Sequence, residues 1–305
     1  MSETRRSFLQ LAAGVAAAAQ VSGRASQPLA SKPFPPSEIQ VPKVKFGKAE
    51  IGRLVCGTNS LYGFAHFNQI LSQIMSEYFT PERVCDLLHR CNSYGINAYN
   101  YVPVPRSQED LERFQSQGGK MHLICQGMED PSPMVKAVKP LAVYFHGGKT
   151  DRAFQEGRMD DVKEWCKKLR DMGTMVGVGT HKPEVIALVE EQGWDVDFYA
   201  GCIYNVTRTK EEWRKTLNGE LVEMQSECFL QSDPPRMYRM MRATRKPCFA
   251  FKLLAAGRVG NPEQAFRTAY ESIKPSDGAF IGMFPRIKDE VRENAERVQR
   301  ILHRA

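Results

Sequence analysis

From Val41 onward, short apolar runs alternate with amphipathic stretches of helical period, the rhythm of parallel strands joined by crossover helices. Val44–Ile51 reads as a hairpin turning at Gly47-Lys48. The apolar runs predict strands near 53–56, 96–101, 122–126, 141–146, 175–179, 198–204, 248–253 and 279–282. Thr80-Pro81-Glu82 is a helix start, because the threonine hydroxyl can accept a free amide and proline needs none at the first helical position. Val84, Leu87, Leu88 and Cys91 then share one face. Further helices are expected at 108–117, along the stripe Met159, Val162, Trp165, Cys166, Leu169 and Met172, at Pro183–Gln192, from Asn261-Pro262, and through Val291, Ala295, Val298 and Leu302. Eight strand–helix pairs in residues 41–305 predict an α/β fold, a closed (β/α)8 or TIM barrel, in which no sheet edge stays exposed. The alternative is an open doubly wound sheet, but no Gly-x-Gly-x-x-Gly follows the first strand. Residues 206–235 form the one long connection; they hold a short helix expected at Glu211–Leu217 and are a candidate lid.

The N-terminus follows another pattern. Arg5-Arg6-Ser7-Phe8-Leu9 precedes an alanine-rich apolar run from Leu11 to Ala19. This resembles a twin-arginine export signal, which carries folded proteins across a bacterial inner membrane. The run is shorter than the roughly 20 apolar residues of a spanning helix, so stable membrane insertion is not expected. Small residues near Ala25 or Ala30 suit cleavage. The organisation expected is a signal at 1–25, a flexible linker at 26–40 rich in proline (Pro28, Pro33, Pro35, Pro36), and a barrel domain at 41–305. The export machinery would then be a partner and the location periplasmic or extracellular. The alternative is a basic N-terminus that targets nothing.

The net charge is +7; residues 1–25 carry Arg5, Arg6 and Arg24 against Glu3, which leaves +5 for the rest. Those charges are scattered among acids rather than gathered into a stripe, so nucleic-acid binding gains no support. None of the eight cysteines forms a Cys-x-x-Cys pair, and most sit inside apolar runs such as Leu54-Val55-Cys56 and Leu123-Ile124-Cys125. They are expected to be mostly free, buried thiols.

The order of short motifs resembles the aldo/keto reductase family over nearly all of 44–302. The pieces are the opening hairpin, Leu54-Val55-Cys56-Gly57-Thr58, Gly95-Ile96-Asn97-Ala98-Tyr99, Leu141-Ala142-Val143-Tyr144-Phe145-His146, Val176-Gly177-Val178-Gly179, Tyr204-Asn205, Leu253-Leu254-Ala255-Ala256-Gly257-Arg258, and Ile281-Gly282 with Glu293-Asn294. The resemblance implies a barrel that binds NADH or NADPH in extended form and reduces carbonyls with a tyrosine helped by lysine, aspartate and histidine. Here the aspartate position holds Asn100, the tyrosine position Pro105 and the lysine position Gln126; the histidine remains as His146. Tyr101 is a conceivable substitute donor. The cofactor positions implied are Thr180 (with His181) for the carboxamide, Phe251 for stacking on nicotinamide, Lys252 for pyrophosphate, and Glu293 with Asn294 for adenine. Glu290 falls where an arginine often meets the 2′-phosphate. NAD or NADP is therefore an open question.

Functional groups of such barrels stand at the carboxyl ends of strands. Those ends offer Cys56, Asn100, Gln126, His146, His181, Cys202, Asn205 and Lys252. A lysine there suits acid–base or Schiff-base chemistry. His146, His181 and Glu129, with Cys202, are an alternative divalent-metal set. His66, His89, His122 and His303 are expected to be structural or exposed. The expectation is a barrel acting on a carbonyl- or hydroxyl-bearing small molecule, a sugar among the candidates. His146 would polarise the substrate oxygen, His181 would serve as acid/base, and Lys252 would be electrophilic or phosphate-binding. The competing readings are a nicotinamide-dependent oxidoreductase with a relocated donor and a non-catalytic binding barrel.

Overall fold

The computed structural model describes residues 34–218 and 227–303. The expected signal at 1–25 and the middle of the expected lid lie outside the described residues.

A hairpin of β1 (Lys43–Phe46) and β2 (Ala49–Gly52) pairs antiparallel around Gly47, as the sequence predicts. Eight parallel strands follow: β3 (Leu54–Gly57), β4 (Ala98–Tyr101), β5 (His122–Gly127), β6 (Ala142–Phe145), β7 (Met175–Thr180), β8 (Phe198–Cys202), β9 (Cys248–Phe251) and β10 (Gly278–Ile281). They close in chain order, β10 returning to β3, into a (β/α)8 barrel. No helix among the described residues is long and apolar enough to cross a membrane.

Alternation along the strands separates two cores. Val55, Ala98, Ile124, Ala142, Tyr144, Phe198, Ala200, Phe249 and Phe280 point into the barrel. Their neighbours, among them Leu54, Cys56, Tyr99, Tyr101, Leu123, Cys125, Val143 and Val176, pack outward under the helices. The hairpin stoppers the amino-terminal end of the barrel: Phe46 meets Phe198 and Phe249 edge-on at 5.2 and 5.1 Å. Gly177 makes room for that plug, since a Cβ there would lie 2.5 Å from the Phe198 ring. The lower barrel is filled by rings, which leaves room for a ligand at the carboxyl-terminal mouth.

The predicted caps form. Thr80 accepts the Arg83 amide and Asn261 the Gln264 amide, each ahead of a proline. The stripe from Met159 makes a helix at Met159–Arg170, and Met172 packs against the core just beyond it. The short helix in the long connection spans Lys210–Leu217. Four helices went unread: Gln69–Tyr78, Ser132–Val138, Gly147–Gln155 and Asp233–Ala243. The first two contain no buried residue and so carry no core stripe. The third opens on Gly147-Gly148 and the fourth on Pro234-Pro235, residues that read as breakers. Ser37 and Gln40, placed in the linker by composition, both hydrogen-bond the Ser93 carbonyl.

All eight cysteines are free, as expected. Cys56 is not a group of the mouth, however: it faces the outer core, one register position off.

Candidate functional site

At the carboxyl-terminal mouth lies a cavity of about 340 Å³ between β3, β9, β10 and the segment that leads into the helix Gln69–Tyr78. Its walls are apolar, with Phe64, Leu71, Met75, Phe251, Phe280 and Phe284 among them. Polar groups enter it in two places.

The first is the floor. Asn100 is the penultimate residue of β4, where its amide Nδ2 donates to the Ile124 carbonyl at 3.1 Å and to the Tyr144 hydroxyl at 3.0 Å. The Tyr144 hydroxyl in turn reaches Gln126 Oε1 at 3.3 Å. Burial raises the Tyr144 hydroxyl above its ordinary range, although the Asn100 hydrogen bond opposes that, so it stays a neutral donor. Asn100 and Gln126 therefore occupy the site as the sequence placed them. Tyr144 joins them unpredicted, though its alternation with Ala142 was a usable signal.

The second is the rim. Lys252 follows β9 with a left-handed backbone (φ 62°), which a non-glycine residue adopts only under constraint. His66 (φ 54°) and Ala256 (φ 53°) line the same cavity in the same conformation. The Lys252 side chain is 10 % exposed and its ammonium is held by both oxygens of Glu227. His66 Nδ1 lies 3.1 Å from Glu227 and 3.4 Å from Lys252 Nζ, while its Nε2 meets Asn59 Nδ2 at 2.9 Å. Burial pushes the Glu227 carboxyl up, but the His66 hydrogen bond and the Lys252 charge prevail and hold it down at about 2. His66 is exposed, as the sequence reading had it, but it also lines the cavity. Glu227 lies in a loop and Asn59 opens a four-residue 3-10 helix (Asn59–Tyr62), segments in which no period marks a direction.

His146 and His181 do not line this cavity. His146 caps the helix Gly147–Gln155 by accepting the Lys149 amide at 3.3 Å. Burial, then the His181 and Lys149 charges, lower its imidazole to about 4. His181 is 8 % exposed, and its ring stands edge-on 5.5 Å from Phe251, behind the cavity wall. Its Nδ1 is 2.7 Å from Asp151, a fully buried carboxylate that also accepts the His181 amide and the Thr180 and Thr207 hydroxyls. Asp151 had no signal in the sequence. Tyr101 faces the outer core and bonds the Ser107 hydroxyl, so it is not placed as a donor at the mouth. The Glu129 side chain is 87 % exposed on Lys149, away from both histidines. Among the described residues no group of three His, Cys, Asp or Glu side chains could hold a metal ion.

The residues present do not fit the nicotinamide dinucleotide that the resemblance implies. Phe251 does line the cavity. But the Lys252 charge is already answered by Glu227, and Glu290 places a carboxylate in the lining itself. Burial raises the Glu290 carboxyl even as it accepts the Phe284 amide at 2.7 Å. A diphosphate would face both acids. Thr180 gives its hydroxyl to Asp151; Glu293 is tied to Lys288 and Arg297; Asn294 is buried with its amide oxygen on Arg297.

No protein-family model matches the chain, and no curated protein matches it by sequence. Solved structures with a similar fold include a truncated 3-deoxy-D-arabino-heptulosonate 7-phosphate synthase from Thermotoga maritima, with TM-score 0.52, 13 % identity, and 87 % of this chain and 92 % of that one covered. They also include a glycerol dehydrogenase from Gluconobacter oxydans (TM-score 0.46, 14 % identity, 86 % and 95 % covered). A third is an aldo/keto reductase from Brucella melitensis (TM-score 0.43, 12 % identity, 87 % and 99 % covered). At such identities the first likeness speaks to the barrel fold alone.

Proposed function

We propose that this barrel is a cofactor-independent acid–base enzyme acting on a small carbonyl- or hydroxyl-bearing molecule in the mouth cavity. The observation that carries the reading is the joint placement of Lys252 and His66 in the lining of the mouth cavity, with Glu227 bridging the two. Two proton-carrying groups within hydrogen-bond reach of each other, oriented by a carboxylate, are the minimum for moving a proton on a bound substrate. The Asn100–Tyr144–Gln126 floor supplies neutral hydrogen bonds to orient it. Gln126 Nε2 has no partner among the described residues and is free to donate to a substrate oxygen. His181, held by Asp151, backs the Phe251 wall rather than touching the ligand in this reading.

The test is solvent exchange. The purified chain is incubated in D2O with a panel of small ketones, hydroxyketones and sugars, and loss of C–H signals is followed by NMR. Exchange in at least one compound, abolished by Lys252→Ala and by His66→Ala, is expected. Exchange unchanged in both variants would sink the assignment, and no exchange at all would favour a non-catalytic binding barrel.

Two further readings belong to the same proposal. The hairpin-first order of motifs supports descent from an aldo/keto reductase-like barrel that has lost the proton-donor set. The Arg5-Arg6 motif supports export of the folded chain to the periplasm or beyond. A reporter fused after residue 40 should be exported in a bacterial host, and Arg5→Lys with Arg6→Lys should retain it in the cytoplasm.

A further inference from the structure

We propose that Lys252 is a nucleophilic lysine that forms a covalent imine with an aldehyde or ketone bound in the mouth cavity, with His66 as its base and Glu227 as the counter-ion of the imidazolium that forms. The proposal deepens the acid–base reading and rests on the same site.

Three observations converge on the lysine. Its backbone is forced into the left-handed region at the end of β9, and the side chain that results is 10 % exposed beside the cavity. A surface lysine would extend into water; this one borders Phe251 and Leu253 in sequence and lies 6.0 Å from the centre of the Phe229 ring. A base stands within reach, since His66 Nδ1 is 3.4 Å from Nζ. Glu227 lies 3.1 Å from the same ring nitrogen, placed to accept the N–H of the imidazolium once the proton has moved, and Asn59 fixes the other end of the ring at 2.9 Å. A nucleophile in contact with a base, with a carboxylate beside them to stabilise the protonated base, is an arrangement that activates a weak nucleophile.

The step balances without any further reactant. Lys252 passes one ammonium proton to His66, and the imidazolium formed is stabilised by the Glu227 carboxylate. The freed amine lone pair attacks the carbonyl carbon, and the C=O π pair moves to oxygen, which takes the proton back from His66. The carbinolamine nitrogen then returns a proton to His66, which passes it to the hydroxyl; the C–O bond breaks, the nitrogen lone pair closes the C=N bond, and the oxygen departs as water, leaving a protonated imine. One C=O and one N–H pair become one C=N and one water. Hydrolysis returns the lysine. An apolar cavity suits the sequence, because it keeps bulk water from the imine while admitting an uncharged carbonyl compound.

The experiment is reductive trapping. The full chain is treated with benzaldehyde and sodium cyanoborohydride, and lysine modification is mapped by peptide mass spectrometry. Lys252 should be alkylated at least about tenfold faster than the mean of the other lysines, and His66→Gln should slow it by roughly 100-fold, the usual worth of a general base. The same aldehyde with Lys252→Arg should leave the surface lysines reacting at their unchanged rate. Modification of Lys252 no faster than that of the surface lysines, in protein shown folded by circular dichroism, would overturn the proposal. The two readings fail separately. Trapping without solvent exchange upholds the imine and removes the acid–base enzyme; solvent exchange without trapping does the reverse.

Discussion

Replacing Glu227 by glutamine removes the only charge that holds Lys252 and His66 together, and the cost can be worked from the carboxyl itself. It titrates at about 2 in the folded chain against an ordinary value of 4.5. A separation of that size corresponds to about 3 kcal/mol of stability at most. The side chain is 24 % exposed, so the pair is only moderately screened, and about 2 kcal/mol is the figure expected in practice. The sign follows from the depressed value. The unfolded chain takes up the proton first as pH falls, so the contribution is complete above the unfolded value and is lost as pH drops from 4.5 to about 2. Urea denaturation of the parent chain and Glu227→Gln should therefore differ by about 2 kcal/mol at pH 5, with the gap shrinking steadily toward pH 2. A gap below about 0.5 kcal/mol at pH 5, the range of ordinary surface changes, or a gap that does not move with pH, would refute the reasoning.

Other parts of the account are tested as directly. Phe46→Ala should cost about 3–5 kcal/mol in denaturant, because it empties the ring contacts with Phe198 and Phe249 at the bottom of the barrel. Gly177→Ala should cost about 1–3 kcal/mol, since the added methyl meets the Phe198 ring; wild-type stability would show that the ring moves freely. By proton NMR His146 should titrate near 4. Its folded value lies below the unfolded one, so between 6.5 and 4 it makes the protein less stable as pH falls; His146→Gln should lessen that acid sensitivity.

Where the sequence carried a period, it located structure. Alternation marked the barrel strands to within a residue or two, and the Thr80-Pro81 and Asn261-Pro262 caps marked helix starts. Asn100, Gln126, Phe251 and Lys252 reach the cavity because strand ends must. The rim was a different problem. His66 and Glu227 come from irregular segments and Asn59 from a single 3-10 turn; His66 is itself left-handed, and nothing in the residue order announces such a turn. His146 and His181 sit at strand ends as predicted, yet the chain turns at once into the helix Gly147–Gln155. One ring is drawn into a helix cap and the other onto Asp151, so neither lines the mouth.

The central claim is that the mouth works without a dinucleotide, and a ligand inventory tests it most directly. Protein purified with residues 1–25 intact is denatured and the released small molecules are analysed by mass spectrometry. The account predicts no nicotinamide nucleotide above trace level and, if anything is carried, a small carbonyl compound. NAD(H) or NADP(H) near one per chain would contradict it.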